Sequence, residues 1–199
     1  MRLEAYGPGM SIALPGPMNP SSDEREVFLT YLRAKRGDVV RSAEGLDEDQ
    51  LRWTPEGRLL PIIGIINHLA HVEQRWIDGR YLGMPFGVRT DEFTVDRSLT
   101  GAAAIAAYDA RAGATEASVR AADDLSAPCL GREGDGPPVH ELLGLSGPVD
   151  LRWVLLHLVE ETAHHAGHAD ATREMLDGTT ADELLLAARD RSATAQQDG

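Results

Sequence analysis

The chain of 199 residues carries a formal charge of -13 and has a sequence pI near 4.9. This length supports one domain with a core of its own, and the acidic balance repels a phosphate backbone, so nucleic acid is not an expected partner. With one cysteine, Cys129, no intrachain disulfide can form, nothing favours an oxidising compartment, and the cytoplasm is the simplest address.

No stretch reaches the length of a membrane-spanning helix. Residues 1–20 are rich in Gly and Pro, lack a basic segment followed by an apolar run, and so do not read as a signal peptide. They are expected to form a flexible extension, with Met18 opening a natural-looking start. Lys35 is the only lysine among the basic residues; this arginine skew, with abundant Ala, Gly and Asp, is what a GC-rich genome produces, and it points to a bacterium such as an actinobacterium.

In chain order, Ser22 or Asp23 caps a first helix that should end near Gly45, with Val27, Leu29, Leu32, Val39 and Val40 as its apolar stripe. A turn with Pro55 and Gly57 follows. A second helix starts near Pro61, contains IIGIINHLAHVEQRWIDGRYL and stops near Gly83. Residues 84–97 read as a loop, and an Ala-rich third helix follows over residues 98–125, anchored by Ile105, Tyr108 and Val119. A Gly- and Pro-rich connection over 126–148, with room for a short hairpin or turn, leads to a long helix capped by Asp150 and ending at Gly178. A short helix, ADELLLAARD, precedes a polar tail from Ser192 that is expected to be disordered. The expected fold is all-α, an antiparallel four-helix bundle over residues 21–178 with long loops, followed by the short extra helix and tail over 179–199.

Four of the seven histidines, His157, His164, His165 and His168, fall on the helix after Asp150. At roughly 100° per residue, Leu151, Leu158 and Leu176 lie about 40 to 60° from Val154 and mark the buried face, while Glu161 and His165 fall within about 20° of Val154. His164 and Glu160 turn toward the polar side. A carboxylate and an imidazole set into an apolar stripe are costly without strong partners. Three explanations stand: a buried Glu–His hydrogen bond, a helix rotated toward water, or a metal ion, by analogy with the inward Glu and His residues of bundle-core metal sites.

On the second helix the apolar face is Ile62, Ile65, Leu69, Val72 and Trp76, with His68 at its edge and His71 further out. Taken alone His68 reads as structural. With Glu161 and His165 it completes a His₂Glu set that suits zinc or another divalent ion and leaves a coordination position open.

The segments IIGIINHLAHVEQRW and LRWVLLHLVEETAHHAGHADATRE, with Leu51–Trp53 ahead of the first, resemble the signature helices of the DinB-like superfamily, in its actinobacterial branch of unknown function. The resemblance covers roughly residues 23–178. It implies a four-helix bundle with a divalent metal held by a His of the second helix and two ligands four residues apart on the last bundle helix. Carried over, those ligands are His68, Glu161 and His165, in the His, Glu, His order of mycothiol-dependent maleylpyruvate isomerase. That isomerase has an added C-terminal domain, which this chain does not match.

The resemblance implies a metal-dependent thiol S-transferase with mycothiol as co-substrate: the metal, zinc first with nickel, iron or manganese as alternatives, stabilises the thiolate, which attacks a small electrophile. His168, one turn past His165, is a candidate hydrogen-bond donor to the site, proton shuttle or alternate ligand, with a structural role as the alternative. Arg75 and Arg152, with Arg80, are candidate contacts for an anionic cofactor or substrate. Trp53, Trp76 and Trp153 read as core and pocket walls, and Cys129 has no setting that would make it a nucleophile. The rival functions are a metal-dependent hydrolase using bound hydroxide and a non-catalytic, metal-stabilised stress or interaction protein, with a homodimer through an exposed bundle face as its expected assembly.

Overall fold

The structure is a computed structural model that describes residues 23–85, 92–129, 131, 141, 144 and 146–197, with side chains to residue 194. Helix α1 spans Glu24–Arg41. The Asp23 carboxylate caps it by accepting the Arg25 amide at 3.0 Å, and Glu24 and Glu26 in its first turn complement the helix dipole. The chain then turns through Gly45 at φ +74, a left-handed conformation that suits glycine.

A one-turn helix α2, Glu48–Leu51, follows where only a turn was expected, closed by a capping box between Asp47 and Gln50. Helix α3, Ile62–Glu73, starts after Pro61 and continues as a π-helical segment, Gln74–Tyr81. Helix α4, Gly101–Ala121, is capped by Thr100. Helix α5, Leu151–Asp177, is capped by Asp150 and stopped at Gly178, at φ +80. The polar end expected to be disordered from Ser192 instead continues helix α6, Ala181–Gln197. Its start is fixed by Thr180 and Glu183, and Arg191 reaches back to Glu44 at the end of α1.

Among the described residues there is no strand, only an isolated bridge between Pro128 and Asp150. The remainder of the proposed hairpin or turn, residues 1–22 with the proposed start at Met18, and His140 lie outside the described residues. No helix among the described residues is long and apolar enough to cross a membrane.

The long helices run up, down, down and up. Arg152 pairs with Glu24 where α5 and α1 begin, and Arg173 donates to the carbonyls of Ser42 and Glu44 where they end, so these neighbours are parallel. Arg25 binds the Ala122 carbonyl, which sets α4 antiparallel to α1, and Thr172 binds the Leu60 carbonyl, which sets α3 antiparallel to α5. It follows that α3 and α4, which pack against each other, are also parallel.

Parallel neighbours cannot be joined by a tight turn. After some 30 Å of descent over residues 62–81 at about 1.5 Å per residue, the chain must climb back before α4 can begin. The long connection over residues 82–100 is therefore a geometric requirement.

Two apolar clusters fill the bundle, one around Val40, Ile62, Ile66, Leu69, Ile105 and Tyr108, the other around Leu29, Leu32, Val72, Ile77, Val154 and Leu158. Full burial of each such aliphatic side chain contributes about 1.5–3 kcal/mol relative to exposure. Together they hold α3 and α5 side by side, which is what brings the histidines of the two helices together.

Candidate metal centre

Glu161 and His165 stand one turn apart on α5 and face His68 on α3. The Glu161 Oε1 atom lies 3.6 Å from His68 Nε2 and 3.5 Å from His165 Nε2, and one donor atom from each residue falls within 4.8 Å of the others. His68 and His165 are buried, at 2% and 6% exposed. The Glu161 side chain keeps 27% of its surface, so it opens toward solvent instead of lying wholly inside the core as its helical phase suggested. When the imidazoles donate toward it, His165 first and then His68, its carboxyl is held far below the usual carboxylate range, against the opposing effect of burial.

These separations bear on the three explanations of the Glu–His pair. At 3.5 and 3.6 Å the contacts are longer than good side-chain hydrogen bonds. They match the edge of a tetrahedron, about 3.4 Å, whose centre lies about 2.1 Å from each N or O donor. Two imidazoles and one carboxylate also form a donor set suited to zinc and its neighbours in the first transition row. The residues therefore fit a divalent cation.

Beyond the three donors, the connection between α3 and α4 supplies partners that sequence reasoning missed. His68 Nδ1 lies 2.9 Å from Glu92 Oε2, the other oxygen of Glu92 meets Arg75, and the Glu92 carbonyl accepts from Asn67 Nδ2 at 2.8 Å. Phe93 stacks on the His68 ring, with centroids 4.2 Å apart, and approaches His165. On α5, one turn before Glu161, His157 stacks over Trp153 at 5.3 Å and meets Trp76 of the π segment at 4.4 Å. All three are half-buried, and burial lowers the His157 pKa. In the π segment successive residues fan out: Arg75 to Glu92, Trp76 to α5, Ile77 to the core and Asp78 to Arg111 on α4.

The other candidates fall elsewhere. The His168 ring centre is 5.6 Å from that of His165, and burial first, then His164 and His165, lowers its pKa. His71 and His164 are exposed. Arg75 is engaged by Glu92, whereas Arg152 pairs with Glu24 on the surface at the start of α5. Trp53 is half-buried. Burial pushes the Cys129 thiol up to about 11, which leaves little thiolate at neutral pH.

A family model described as mycothiol-S-transferase matches residues 27–178. The chain belongs to the mycothiol-S-transferase family. The match runs from within α1 to the stop of α5, taking in all four bundle helices and the three candidate ligands, in keeping with the DinB-like resemblance of the two signature helices. Helix α6 of this mycothiol-S-transferase relative lies beyond the matched segment. No curated protein and no solved structure matches the chain.

Proposed function

We propose that the protein transfers the thiol group of mycothiol to a small electrophile at a divalent cation, zinc foremost, held by His68, Glu161 and His165. The observation that carries this reading is the convergence of three donor atoms within 4.8 Å, two of them at 3.5 and 3.6 Å from the Glu161 oxygen. Family membership supports the transferase and its thiol.

A cation at this position supplies Lewis acidity that favours the thiolate form of the co-substrate at neutral pH. Glu161 as the only anion of the three leaves a dication with one net positive charge, which suits an anionic sulfur. His68 and His165 serve as neutral donors, and Phe93 covers their rings and limits water. The half-buried rings of Trp76, His157 and Trp153 form an apolar wall beside Glu161 against which the organic part of thiol or electrophile can lie. Arg75 acts through Glu92, and Arg152 is tied to Glu24. His168, whose Nδ1 is buried without a hydrogen-bond partner, is the proton acceptor in this reading. In the transfer, sulfur and carbon form a bond, the carbon–leaving-group bond breaks, the leaving group departs with the electron pair, and the thiol proton passes to His168 and on to solvent.

The test combines metal-free protein, zinc, mycothiol and a chlorobimane probe whose fluorescence rises on S-alkylation with loss of chloride. Turnover that needs both zinc and thiol, and is lost in Glu161→Ala together with the bound zinc, supports the reading. Ester or amide cleavage without thiol would replace it with a hydrolase, and zinc-dependent stability with no turnover would replace it with a non-catalytic role.

A further inference from the structure

We propose that Glu92 is a positioning residue: docked on α3 by Gly64, Asn67 and Arg75, it holds His68 as the Nδ1–H tautomer and thereby sets the affinity of the centre for its cation. The affinity half of this inference rests on the metal reading above.

Three contacts pin the docked segment over one face of α3. A Cβ at Gly64 would lie 2.3 Å from the Phe93 carbonyl oxygen and 3.0 Å from its carbon, both backbone atoms, so only glycine lets the connection lie this close. One turn on, Asn67 donates to the Glu92 carbonyl at 2.8 Å. Two turns further, Arg75 meets the Glu92 carboxylate. Gly64, Asn67 and Arg75 share a helical face with His68 between them, and the segment they hold presents Glu92 to its ring.

The Glu92 side chain is 5% exposed, so its charge is tolerated only with partners. Arg75 takes one oxygen, and the other stands 2.9 Å from His68 Nδ1. A carboxylate can only accept, so the neutral ring must donate from Nδ1, and the Nε2 lone pair is left facing Glu161. Phe93, stacked at 27° to the same ring, restricts its rotation. His165 has no such control: its Nδ1 is buried without a hydrogen-bond partner. The orientation of the donor set is therefore fixed from the α3 side, by a residue outside both signature helices. Carboxylate partners of metal-binding histidines tune affinity by about 10- to 100-fold.

The test uses the full chain and two readouts. In metal-free protein, long-range 15N–1H spectra of the His68 ring report its tautomer; in zinc titrations against a competing chelator, the dissociation constant is measured. The variants are Glu92→Gln, the paired Glu92→Leu with Arg75→Met, which leaves no buried charge unpaired, and Gly64→Ala, which touches neither Glu92 nor a ligand. The expected result is Nδ1–H in the wild type, loss of that single tautomer in the paired variant and in Gly64→Ala, and zinc binding weakened about 10- to 100-fold in all three, with helical content retained. A His68 ring that stays Nδ1–H in the paired variant overturns the inference whether or not zinc binds, as does zinc affinity within twofold of wild type in Glu92→Gln and Gly64→Ala. A tautomer that follows Glu92 in a wild-type protein that takes up no zinc sustains the hold of Glu92 on His68 and overturns the metal reading instead.

Discussion

Two buried polar clusters lie little more than one turn of α3 apart, at Glu73 and at His68, and they are built to opposite ends. At the first, Arg36 donates twice to Glu73, both bonds 2.7 Å, with both side chains fully buried; Glu116 approaches the free face of the guanidinium at 3.3 Å and is itself held by Arg33 at 2.6 Å. Every charge there has an opposite charge in contact. At the second, two imidazole nitrogens and a carboxylate oxygen, acceptors when the imidazoles are neutral, point at one another across 3.5 and 3.6 Å. The saturated cluster joins α1, α3 and α4 and asks for nothing further. The unsaturated one is a set of lone pairs converging on a point, a donor set that could hold a cation.

The largest effect should come from breaking the saturated cluster. Arg36→Met alone strands the Glu73 carboxylate in the core and is expected to cost about 3–5 kcal/mol, read as a lower midpoint of urea unfolding. The double variant Arg36→Met with Glu73→Leu should recover most of that loss, because the penalty belongs to the unpaired charge.

Breaking the unsaturated cluster should do the reverse. Glu161→Ala is expected to leave metal-free stability near wild type, since the side chain is partly exposed. It should abolish the gain that zinc gives the wild type, about 2.7 kcal/mol at a free concentration 100 times the dissociation constant. Thermal melts with and without zinc check both halves. A metal-free Glu161→Ala protein as unstable as Arg36→Met would erase the distinction between the clusters.

Asp170 sharpens the comparison, because its carboxyl is neither saturated nor convergent. Burial first, then the like charges of Asp38 and Glu174, raise its pKa to about 6. A folded-state pKa above the unfolded value of 3.8 means that between these pH values the unfolded chain sheds its proton while the folded chain keeps it. Stability from this group is therefore present below pH 4, declines as pH rises toward 6, and stays lost above it. Asp170→Asn should stabilise the protein by about 1 kcal/mol at pH 7, after discounting for partial exposure, and by nothing measurable at pH 4. Melts at the two pH values give the check.

The smallest effect is expected at Cys129. Its raised thiol pKa predicts slow alkylation at pH 7.5, and Cys129→Ser should leave zinc binding and transfer unchanged.

The three donors were legible in the sequence because they depend on phase within a helix: seven and eleven residues from Val154 return to one face, and His68 sits beside an unbroken apolar stripe. The bundle was legible for the same reason. Glu92 was not, because its place depends on the path of the chain between α3 and α4, and no periodicity encodes that path. The parallel pairing of α1 with α5 escaped likewise, since phase shows which face is buried but not which neighbour covers it. Gly64 read as one more small residue in a helix; only the carbonyl of Phe93 against it gives it meaning. Local signals were present but unread at α2, where Asp47 and Gln50 form a capping box. From Ser192 composition favoured disorder, yet α6 runs on to Gln197, with Arg191 just ahead tied to Glu44.

The up, down, down and up course carries a consequence for the order in which a nascent chain can become functional. Helix α5 lies against both α1 and α3, so as α1, α3 and α4 leave the ribosome the apolar faces of Leu29, Leu32 and Ile65 await a partner encoded more than eighty residues later. His68 emerges early but has neither Glu161 nor His165 to work with until that last bundle helix arrives. On the proposed reading, cation binding would thus be a late checkpoint of synthesis, met only by chains whose bundle has closed, and a ribosome stalled before α5 would display a sticky groove and an incomplete donor set.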